Sequence, residues 1–277
     1  MLFSRLRLFY HKQFYQKRVD KEGGHLSCLL VLFSHTLTAK PSNYNMQKIV
    51  FLTGAGISAE SGLGTFRGGN GLWDNYRIED VCTVEAWHKN PTYVNAFYNE
   101  RRKQLPTVEP NEAHRLVAEL EKDYEVVVVT QNVDDLHERA GSSRVIHLHG
   151  ELLRVCSSFN KEDQSQWQTL DYEHLELPVG ATANDGSLLR PYIVFFGEDV
   201  PRMEEAIILA EHADIFVIVG TSLNVYPAAG LVRFVPKGVP IFVIDPEADT
   251  MSAVKDAILL KETATVGMKK LAKILKN

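Results

Sequence analysis

The stretch from residue 49 to residue 73 constrains the fold of this 277-residue chain more than any other. It begins with the apolar run Ile49–Leu52, which has the length and composition of a buried strand. Gly54, Gly56 and Ala59 follow at the spacing that lets a chain turn tightly from a strand into a helix and lets its backbone approach a pyrophosphate. The first N–H groups of such a helix are available to bind phosphate. On these residues alone, a dinucleotide site and an ordinary glycine turn both remain open.

Glycines continue well beyond that turn. In a common dinucleotide-binding unit, the helix leads into a second strand that ends in an acidic residue, roughly 20 residues on. Residues 62–73 contain five glycines instead, which excludes a regular helix or a central strand there. We predict a flexible loop that carries the aromatic Phe66 and the cation Arg67 and that closes over a cofactor.

Helical and strand patterns alternate after this loop, which predicts an α/β fold with a doubly wound, Rossmann-like parallel sheet. Helices are predicted where apolar residues recur every three or four positions, over residues 78–105, 113–122, 203–212 and 228–234 and at the C-terminus. Strands are predicted from apolar, β-branched runs over residues 125–130, 145–149, 215–220 and 241–245. Residues 151–190 lose this pattern, so we predict a small inserted module there, packed around residues such as Trp167 and Tyr172.

Charge is unevenly distributed along the chain. The overall charge is −5 and residues 1–45 carry +5, so the remainder carries −10. An acidic body suits basic substrates and argues against nucleic acid as a partner. The apolar run Leu26–Phe33 is too short to span a membrane, and we expect no membrane partner. We interpret residues 1–45 as a disordered extension or a misplaced start, and residues 46–277 as the folded domain.

Three cysteines, Cys28, Cys82 and Cys156, lie far apart in the sequence. They imply no disulfide framework, and such sparse cysteine is typical of a reducing compartment. We therefore expect a cytoplasmic protein.

Polar side chains follow the predicted strands, at the edge of the sheet where such folds bind ligands. Gln131, Asn132 and Asp134 come directly after one strand, where amides can orient a carboxamide or a ribose, although the same residues also form ordinary turns. His147 and His149 lie on one face of the next strand. A near-neutral pKa suits either histidine to act as a general base, so both remain candidates at this point.

The run GAGISAESGLGTFRGGNGLW, which starts at Gly54, resembles the NAD-binding signature of bacterial-type sirtuins, which are NAD-dependent protein lysine deacylases. Three further motifs follow in the family's order: Gln-Asn-x-Asp, the His149-Gly150 pair and a Gly-Thr-Ser segment. The likeness extends from about Met46 to the C-terminus. It implies that NAD binds at Gly54, Ala55, Gly56, Ser58, Ala59, Phe66, Arg67, Trp73, Gln131, Asn132, Asp134, Gly220, Thr221, Ser222, Asp245 and Ala264.

The resemblance also implies a reaction. His149, directly before the glycine, corresponds to the catalytic histidine of the family and would deprotonate a ribose hydroxyl. The acyl group of an acyl-lysine protein would pass to ADP-ribose, with release of nicotinamide, O-acyl-ADP-ribose and free lysine. Two other classes remain open, a protein mono-ADP-ribosyltransferase and a non-catalytic NAD-binding module.

Tyr98 and Arg101 share one face of a predicted helix, being three residues apart. Taken without the resemblance, the run Arg101-Arg102-Lys103 is typical of a solvated basic face. Tyr-x-x-Arg resembles the sirtuin subclass that accepts succinyl- and malonyl-lysine besides acetyl-lysine, with Cys82 standing where alanine is common in the acyl pocket. The family's substrate peptide pairs by its backbone with a segment that corresponds here to Val194, Phe196, Gly197 and Glu198.

Two features depart from the family pattern. Asp245 stands where sirtuins commonly have asparagine; a carboxylate there would accept hydrogen bonds from ribose hydroxyls and repel a 2′-phosphate, which favours NAD over NADP. Many sirtuins hold a structural zinc with two Cys-x-x-Cys pairs, whereas the inserted module contains a single cysteine, Cys156. One thiolate cannot form a tetrahedral sulfur site, so we predict no zinc.

Overall fold

The computed structural model describes residues 46–64, 76–251, 254 and 256–276. Its strands are β1 (Lys48–Thr53), β2 (Glu125–Thr130), β3 (Val145–His147), β4 (Gly150–Ser157), β5 (Gln168–Thr169), β6 (Leu189–Ile193), β7 (Ile215–Val219), β8 (Ile241–Ile244) and β9 (Ile258–Leu260). Its α-helices are α1 (Ala55–Ala59), α2 (Ile78–Val81), α3 (Val84–Lys89), α4 (Pro91–Gln104), α5 (Glu112–Glu119), α6 (Leu136–Arg139), α7 (Met203–Glu211) and α8 (Ala264–Leu275). The extension and the loop residues Phe66, Arg67 and Trp73 lie outside the described residues.

Within the described residues, six strands form a parallel sheet in the order β3-β2-β1-β7-β8-β9. The chain moves outward from β1 to β3, returns past the centre to β7, and continues outward on the other side. This is the strand order of doubly wound folds, so the predicted fold class is confirmed. Ligands bind such sheets where the order reverses, which here is the point between β1 and β7.

The sheet is buried on both faces, as its continuous apolar strands predict. Along β1, Val50 and Leu52 pack into a cluster with α7, whereas Ile49 and Phe51 pack into a second cluster with α5 and α8. All four side chains are at most 1% exposed. Because complete burial of such a side chain contributes about 1.5–3 kcal/mol, these clusters hold the strand ends in fixed positions.

The helix predicted for residues 78–105 is divided into α2, α3 and α4. Thr83 and Asn90 each accept the N–H of the third residue after them with a side-chain oxygen, so each one begins a new helix as an N-cap. Pro91 occupies the first position of α4, where its missing N–H costs nothing. Apolar spacing continues through these breaks and therefore does not reveal them.

Three further elements have features that the sequence pattern does not show. The strand predicted over residues 145–149 ends at His147, because the chain turns at Gly150 with a φ of +89°. Residues 228–234 form the predicted helix, which is of the 3₁₀ type. The sequence does not predict β9, since three residues are too few to show a period. None of the helices that the structure describes is long and apolar enough to cross a membrane.

The inserted module contains a sheet that its polar sequence does not predict. Strands β5, β4 and β6 are antiparallel neighbours in that order. Within the part of the module that is described, the buried apolar cluster consists of Val155, Leu177, Ala183 and Leu189. A core this small leaves much of the module to be held by polar contacts.

Trp167 and Tyr172 take different positions. The ring of Trp167 lies 4.4 Å from that of Tyr192, and the guanidinium of Arg154 lies 4.6 Å over it, which agrees with the packing expected for Trp167. Tyr172 is 40% exposed, and its hydroxyl donates to Asp135, outside the module, at 2.6 Å. The expectation that Tyr172 helps to form the interior of the module is therefore wrong.

Candidate active site

The glycine turn after β1 packs directly on the glycine after β7. The N–H of Gly54 donates to the Val219 carbonyl at 3.0 Å, and that of Gly56 donates to the Gly220 carbonyl at 2.8 Å. A methyl group on Gly56 would lie 2.6 Å from the Cα of Gly220, and one on Gly220 would lie 2.5 Å from the carbonyl carbon of Gly56. Two of the predicted nucleotide-binding segments therefore form one continuous edge of backbone where the strand order reverses.

Ala55 and Ala59 are the first and last residues of α1, which has five residues. The glycine pattern predicts that Ala59 packs between helix and strand, but Ala59 is exposed. That prediction is wrong, because α1 ends after little more than one turn. Gly56 makes the close approach instead, and Ile57 fills the space beneath the helix.

Ser58 joins several predicted cofactor residues into one buried network. Its hydroxyl donates to the Asp134 carboxylate at 3.1 Å and accepts from the Asn132 amide at 3.0 Å. His114, which the sequence analysis does not identify, lies 3.4 Å from the same hydroxyl. Its Nδ1 accepts the N–H of Asn111, so Nε2 carries the hydrogen and donates to Ser58. Burial lowers the pKa of His114 to about 4, in agreement with a neutral ring.

Asp134 is 8% exposed, and its surroundings have opposing effects on its pKa. Burial raises the pKa of its carboxyl group. The N–H of Leu136, the charge of His147 and the hydroxyl of Ser58 act against that rise. The N–H of Leu136 donates to Oδ1 at 3.2 Å, whereas Oδ2 accepts the hydroxyl of Ser58 and so joins the network with Asn132.

Gln131 connects the ends of β2 and β7. Its side-chain amide donates to the Thr221 hydroxyl at 2.9 Å, and its backbone N–H donates to the Thr53 carbonyl at 2.9 Å. Thr221 is buried and Ser222, the next residue, is exposed. The structure thus brings together three predicted segments, which follow β1, β2 and β7.

Asp245 and Ala264 lie farther along the same edge. Asp245 directly follows β8, its Oδ1 accepts the N–H of Glu247 at 2.9 Å, and burial raises its pKa. Ala264 is the first residue of α8. The N–H of Gly220 donates to the Ile244 carbonyl at 2.9 Å, which links the end of β7 to the end of β8. These positions agree with an elongated cofactor that lies across the sheet edge from β2 to β8.

His149 lies between β3 and β4, at the carboxyl end of the sheet. Its Nδ1 is 3.1 Å from the Gln131 carbonyl oxygen, which can only accept, so Nδ1 carries the hydrogen. The lone pair is therefore on Nε2. Burial lowers the pKa of the ring to about 4, although the ring remains partly accessible, and the imidazole is neutral at pH 7. A neutral, oriented imidazole can accept a proton.

His147, the competing candidate, is placed differently. Its Nδ1 lies 2.8 Å from the Asn132 carbonyl oxygen and its Nε2 lies 2.8 Å from a carboxylate oxygen of Glu138. Both partners are acceptors, so both ring nitrogens carry hydrogens and the ring is an imidazolium. Burial alone would lower the pKa of His147, but Glu138 and the Asn132 carbonyl raise it above its ordinary value. A ring in this state is unsuited to act as a base.

The predicted acyl-pocket residues also lie together. The Cys82 thiol is 3.5 Å from the Tyr98 hydroxyl, and these residues are 6% and 3% exposed. Burial raises the pKa of Cys82 to about 11. Arg101 lies within the electrostatic influence of both and of Asp134; burial lowers its pKa, and these three groups oppose that effect. The guanidinium therefore lies near enough to Cys82, Tyr98 and Asp134 to interact with each of them electrostatically.

The alternative interpretation of residues 101–103 as a solvated basic run is wrong. Arg102 is fully buried, and it donates to the Leu152 carbonyl at 2.6 Å and to the Asn99 side chain at 2.7 Å. Arg101 is partly buried, and Lys103 alone of the three is exposed. The sequence gives no signal for the structural role of Arg102, because its carbonyl partner is 50 residues away.

The segment predicted to pair with a substrate peptide passes beside Cys82. It is not a regular strand, and three of its backbone donors are already used: Val194 N–H by His149, Phe196 N–H by Cys82 and Glu198 N–H by Phe195. Gly197 has a φ of +99°, which turns the chain. The Glu198 carboxylate accepts from Arg190 at 2.6 Å and from Lys161 at 3.1 Å. Two carbonyl groups of the segment are used as well, since that of Phe196 accepts the Val84 N–H at 3.2 Å and that of Phe195 accepts the Glu198 N–H at 3.0 Å, so pairing with a peptide stays a prediction.

The residues at the expected zinc position do not fit a zinc site. Cys156 is buried, and burial raises the pKa of its thiol to about 12, which favours the thiol over the thiolate that binds metal. Its neighbour Ser157 donates to the Asp185 carboxylate at 2.5 Å and lies 2.9 Å from the Ser187 hydroxyl. Across the described ranges, no three or more His, Cys, Asp or Glu side chains are grouped to hold a metal ion. We refer to Ser157, Asp185 and Ser187 as the serine–aspartate cluster.

Comparison with known proteins identifies the family. Residues 54–227 match the Sir2 family. A protein of Bacteroides thetaiotaomicron named NAD-dependent protein deacylase is 51% identical over 230 residues, which are 83% of this chain and 98% of that protein. A Helicobacter pylori protein of the same name is 49% identical over 226 residues, 82% of this chain and 96% of that protein.

A solved structure agrees with these sequences. The crystal structure described as a Sir2 homolog–NAD complex is 38% identical to this chain, with a TM-score of 0.73 over 84% of this chain and 90% of its own. The similar proteins thus match the fold and nearly the full length of residues 46–277. This chain belongs to the Sir2 family, the sirtuins.

Proposed function

We propose that this sirtuin is an NAD-dependent protein lysine deacylase that removes succinyl and malonyl groups as well as acetyl groups. NAD, the acyl-lysine and one water molecule give nicotinamide, O-acyl-ADP-ribose and free lysine. The observation that carries the finer part of the proposal is the cluster of Cys82, Tyr98 and Arg101 beside the cofactor edge. Deacylation with NAD is the activity for which the bacterial relatives are named.

The residues at the sheet edge suit NAD by their chemistry. Backbone at Gly54, Gly56 and Gly220 offers a surface that phosphates can approach, and the amide and carboxylate groups of Asn132 and Asp134 can bind a carboxamide. When bound, NAD supplies the ribose carbon that receives the acyl group and the nicotinamide that leaves. The chain's own contribution is to orient both ends.

His149 acts in this proposal as the general base. The Gln131 carbonyl holds its Nδ1–H, so Nε2 faces away from that bond and can take a proton from a ribose hydroxyl. Its lowered pKa keeps the ring neutral throughout the physiological range. His147, as an imidazolium, cannot replace it.

Arg101 and Tyr98 give the acyl pocket its preference. A guanidinium pairs bidentately with a carboxylate, and the Tyr98 hydroxyl can donate a further hydrogen bond. Tyr98 is buried and Arg101 is partly buried, and reduced contact with water strengthens a charge-assisted hydrogen bond. Cys82 is larger than the alanine common in the subclass, so we expect the pocket to disfavour the bulkiest acyl groups.

The test is Arg101→Met, measured with succinyl- and acetyl-lysine forms of one peptide. Hydrogen bonds to charged groups contribute about 1.5–3 kcal/mol, so kcat/KM for the succinyl peptide should fall at least about tenfold. For the acetyl peptide it should barely change. Lys103→Met is the matched control, because it removes a positive charge from the same helix at an exposed ion pair with Glu100 and Glu176.

Equal losses for the two peptides, or no succinyl turnover by the unmodified chain, would overturn the pocket assignment. Mass spectrometry of the peptide distinguishes the activities. Loss of the acyl mass supports deacylation, gain of ADP-ribose supports mono-ADP-ribosyl transfer, and no change with retained NAD binding supports a non-catalytic module.

A further inference from the structure

The ion pair between Glu138 and His147 takes no part in the chemistry assigned to His149. Both histidines nevertheless contact the segment 131–134, His147 at Asn132 and His149 at Gln131. The ion pair links α6 to β3, and the His147 ring holds the Asn132 carbonyl at 2.8 Å. Asn132 and Asp134 are the side chains that the proposed function assigns to nicotinamide. A charged group that is 8% exposed thus lies directly behind the predicted nicotinamide site.

Several titratable groups interact with His147. Glu138 and Glu151 both raise its pKa, in opposition to burial. His137, beside Glu138, is neutral: burial lowers its pKa, and the neighbouring His114 and His147 lower it further. Asp134 responds to His147 in turn, because burial raises its pKa and the imidazolium opposes that rise. Without this positive charge, Asp134 would protonate at a higher pH and would lose an acceptor oxygen.

We infer that Glu138 and His147 are a positioning pair, which fixes the Asn132 carbonyl so that residues 131–134 can bind the carboxamide of nicotinamide. The inference rests on the proposed function in one respect, the assignment of nicotinamide to this segment. The Glu138 side chain is 42% exposed, so water screens part of its charge and its removal should weaken binding rather than abolish it.

Glu138→Gln isolates the charge from the geometry. A glutamine amide has the same size and can donate to Nε2 of a neutral imidazole, so the hydrogen bond is kept and only the ion pair is lost. Ring signals in an NMR titration should show His147 protonated at pH 7 in the wild type, with a pKa above the ordinary value of about 6.5, and neutral at pH 7 in the variant.

Binding should change selectively in the same variant. The inhibition constant of nicotinamide should rise at least about threefold at neutral pH, and the decline of NAD turnover toward acid should begin at a higher pH. Affinity for ADP-ribose, measured by calorimetry, should change less than about twofold, because ADP-ribose lacks the nicotinamide ring. Asp171→Asn is the matched control: Asp171 pairs with His174 at 3.0 Å in an exposed position and should alter none of these quantities.

A wild-type His147 that is neutral at pH 7 would overturn the inference. So would equal losses of nicotinamide and ADP-ribose binding in Glu138→Gln, accompanied by a lower Tm, because that result describes a merely structural contact. The wild-type chain is first tested for removal of an acyl group from a peptide. Failure there overturns the proposed function and this role with it, whereas success followed by equal losses overturns the positioning role alone.

Discussion

The parallel sheet and the inserted module are built by different means. The sheet buries apolar strands on both faces, with two large clusters of Val, Ile, Leu and Phe side chains. Among the described residues, the module buries one cluster of four. It relies instead on the serine–aspartate cluster and on the ion pair of Arg190 with Glu198. Apolar burial gives the sheet a rigid edge for chemistry, whereas the module depends on a few directional contacts.

The largest effect should come from the sheet edge. We expect His149→Ala to lower kcat by about 10²–10⁴-fold, because a general base acts in the transition state, while NAD binding survives. His147→Ala should fall well short of that loss, since its ring is held in an ion pair. Steady-state kinetics and calorimetry measure the two quantities. Equal losses of kcat in both variants would contradict the assignment of the base.

A pair of identical truncations compares the two cores. Leu52→Ala removes a fully buried side chain from the sheet and should lower the free energy of unfolding by about 2–5 kcal/mol. Leu189→Ala, in the small cluster of the module, should cost about 2 kcal/mol or less, because fewer neighbours surround the site and it can relax. Urea denaturation measures both. A larger loss for Leu189→Ala would show that the module also depends on apolar packing.

The serine–aspartate cluster should respond to acid. Hydrogen bonds from Ser157 and Ser187 lower the pKa of Asp185, so the stabilisation is present above the unfolded-state pKa and is lost as the pH falls through the lowered value. We expect amide exchange of residues 157–160, corrected for its intrinsic rate, to increase below about pH 4. Asp185→Asn should speed exchange at neutral pH and remove this dependence. Asp163→Asn, an exposed carboxylate of the same module, should do neither.

The smallest effect should follow from chelation. The single cysteine of the module and the serine–aspartate cluster do not fit a zinc site, so EDTA should leave Tm unchanged. Metal analysis of protein purified without chelator should give well under one zinc per chain. Stoichiometric zinc together with a lower Tm after chelation would show that the module is held in the same way as in zinc-bearing sirtuins.

The same contrast explains how much could be predicted from the sequence. Residues 125–130 and 215–219 are local apolar runs, so both strands and the fold class follow from the pattern. The breaks at Thr83 and Asn90 depend on single capping contacts, which the apolar period does not report. The sequence does not predict the position of Tyr172, because its hydrogen-bond partner, Asp135, lies 37 residues away in sequence.

The candidate site divides in a similar way. Its glycines and its Gln-Asn-x-Asp segment are visible as motifs. The resemblance to sirtuins, rather than any local pattern, separates His149 from His147, and only the geometry supplies the physical reason. Ser58 meets Asp134 across 76 residues, and His114 joins them from a third segment. Long-range polar contacts of this kind leave no period in the sequence.

The contact between Gly56 and Gly220 limits which amino acids can occupy these two positions. Each residue is already the smallest possible, and each would collide with the backbone of the other, so no second substitution can restore a fit. Gly267 is a contrast, because a methyl group there would meet the side chain of Ile244, which a shorter residue could relieve. Gly267 and Ile244 can therefore be substituted together, with a larger residue at one position and a shorter one at the other. For Gly56 and Gly220 no change at another side chain makes room, so only glycine fits at either position.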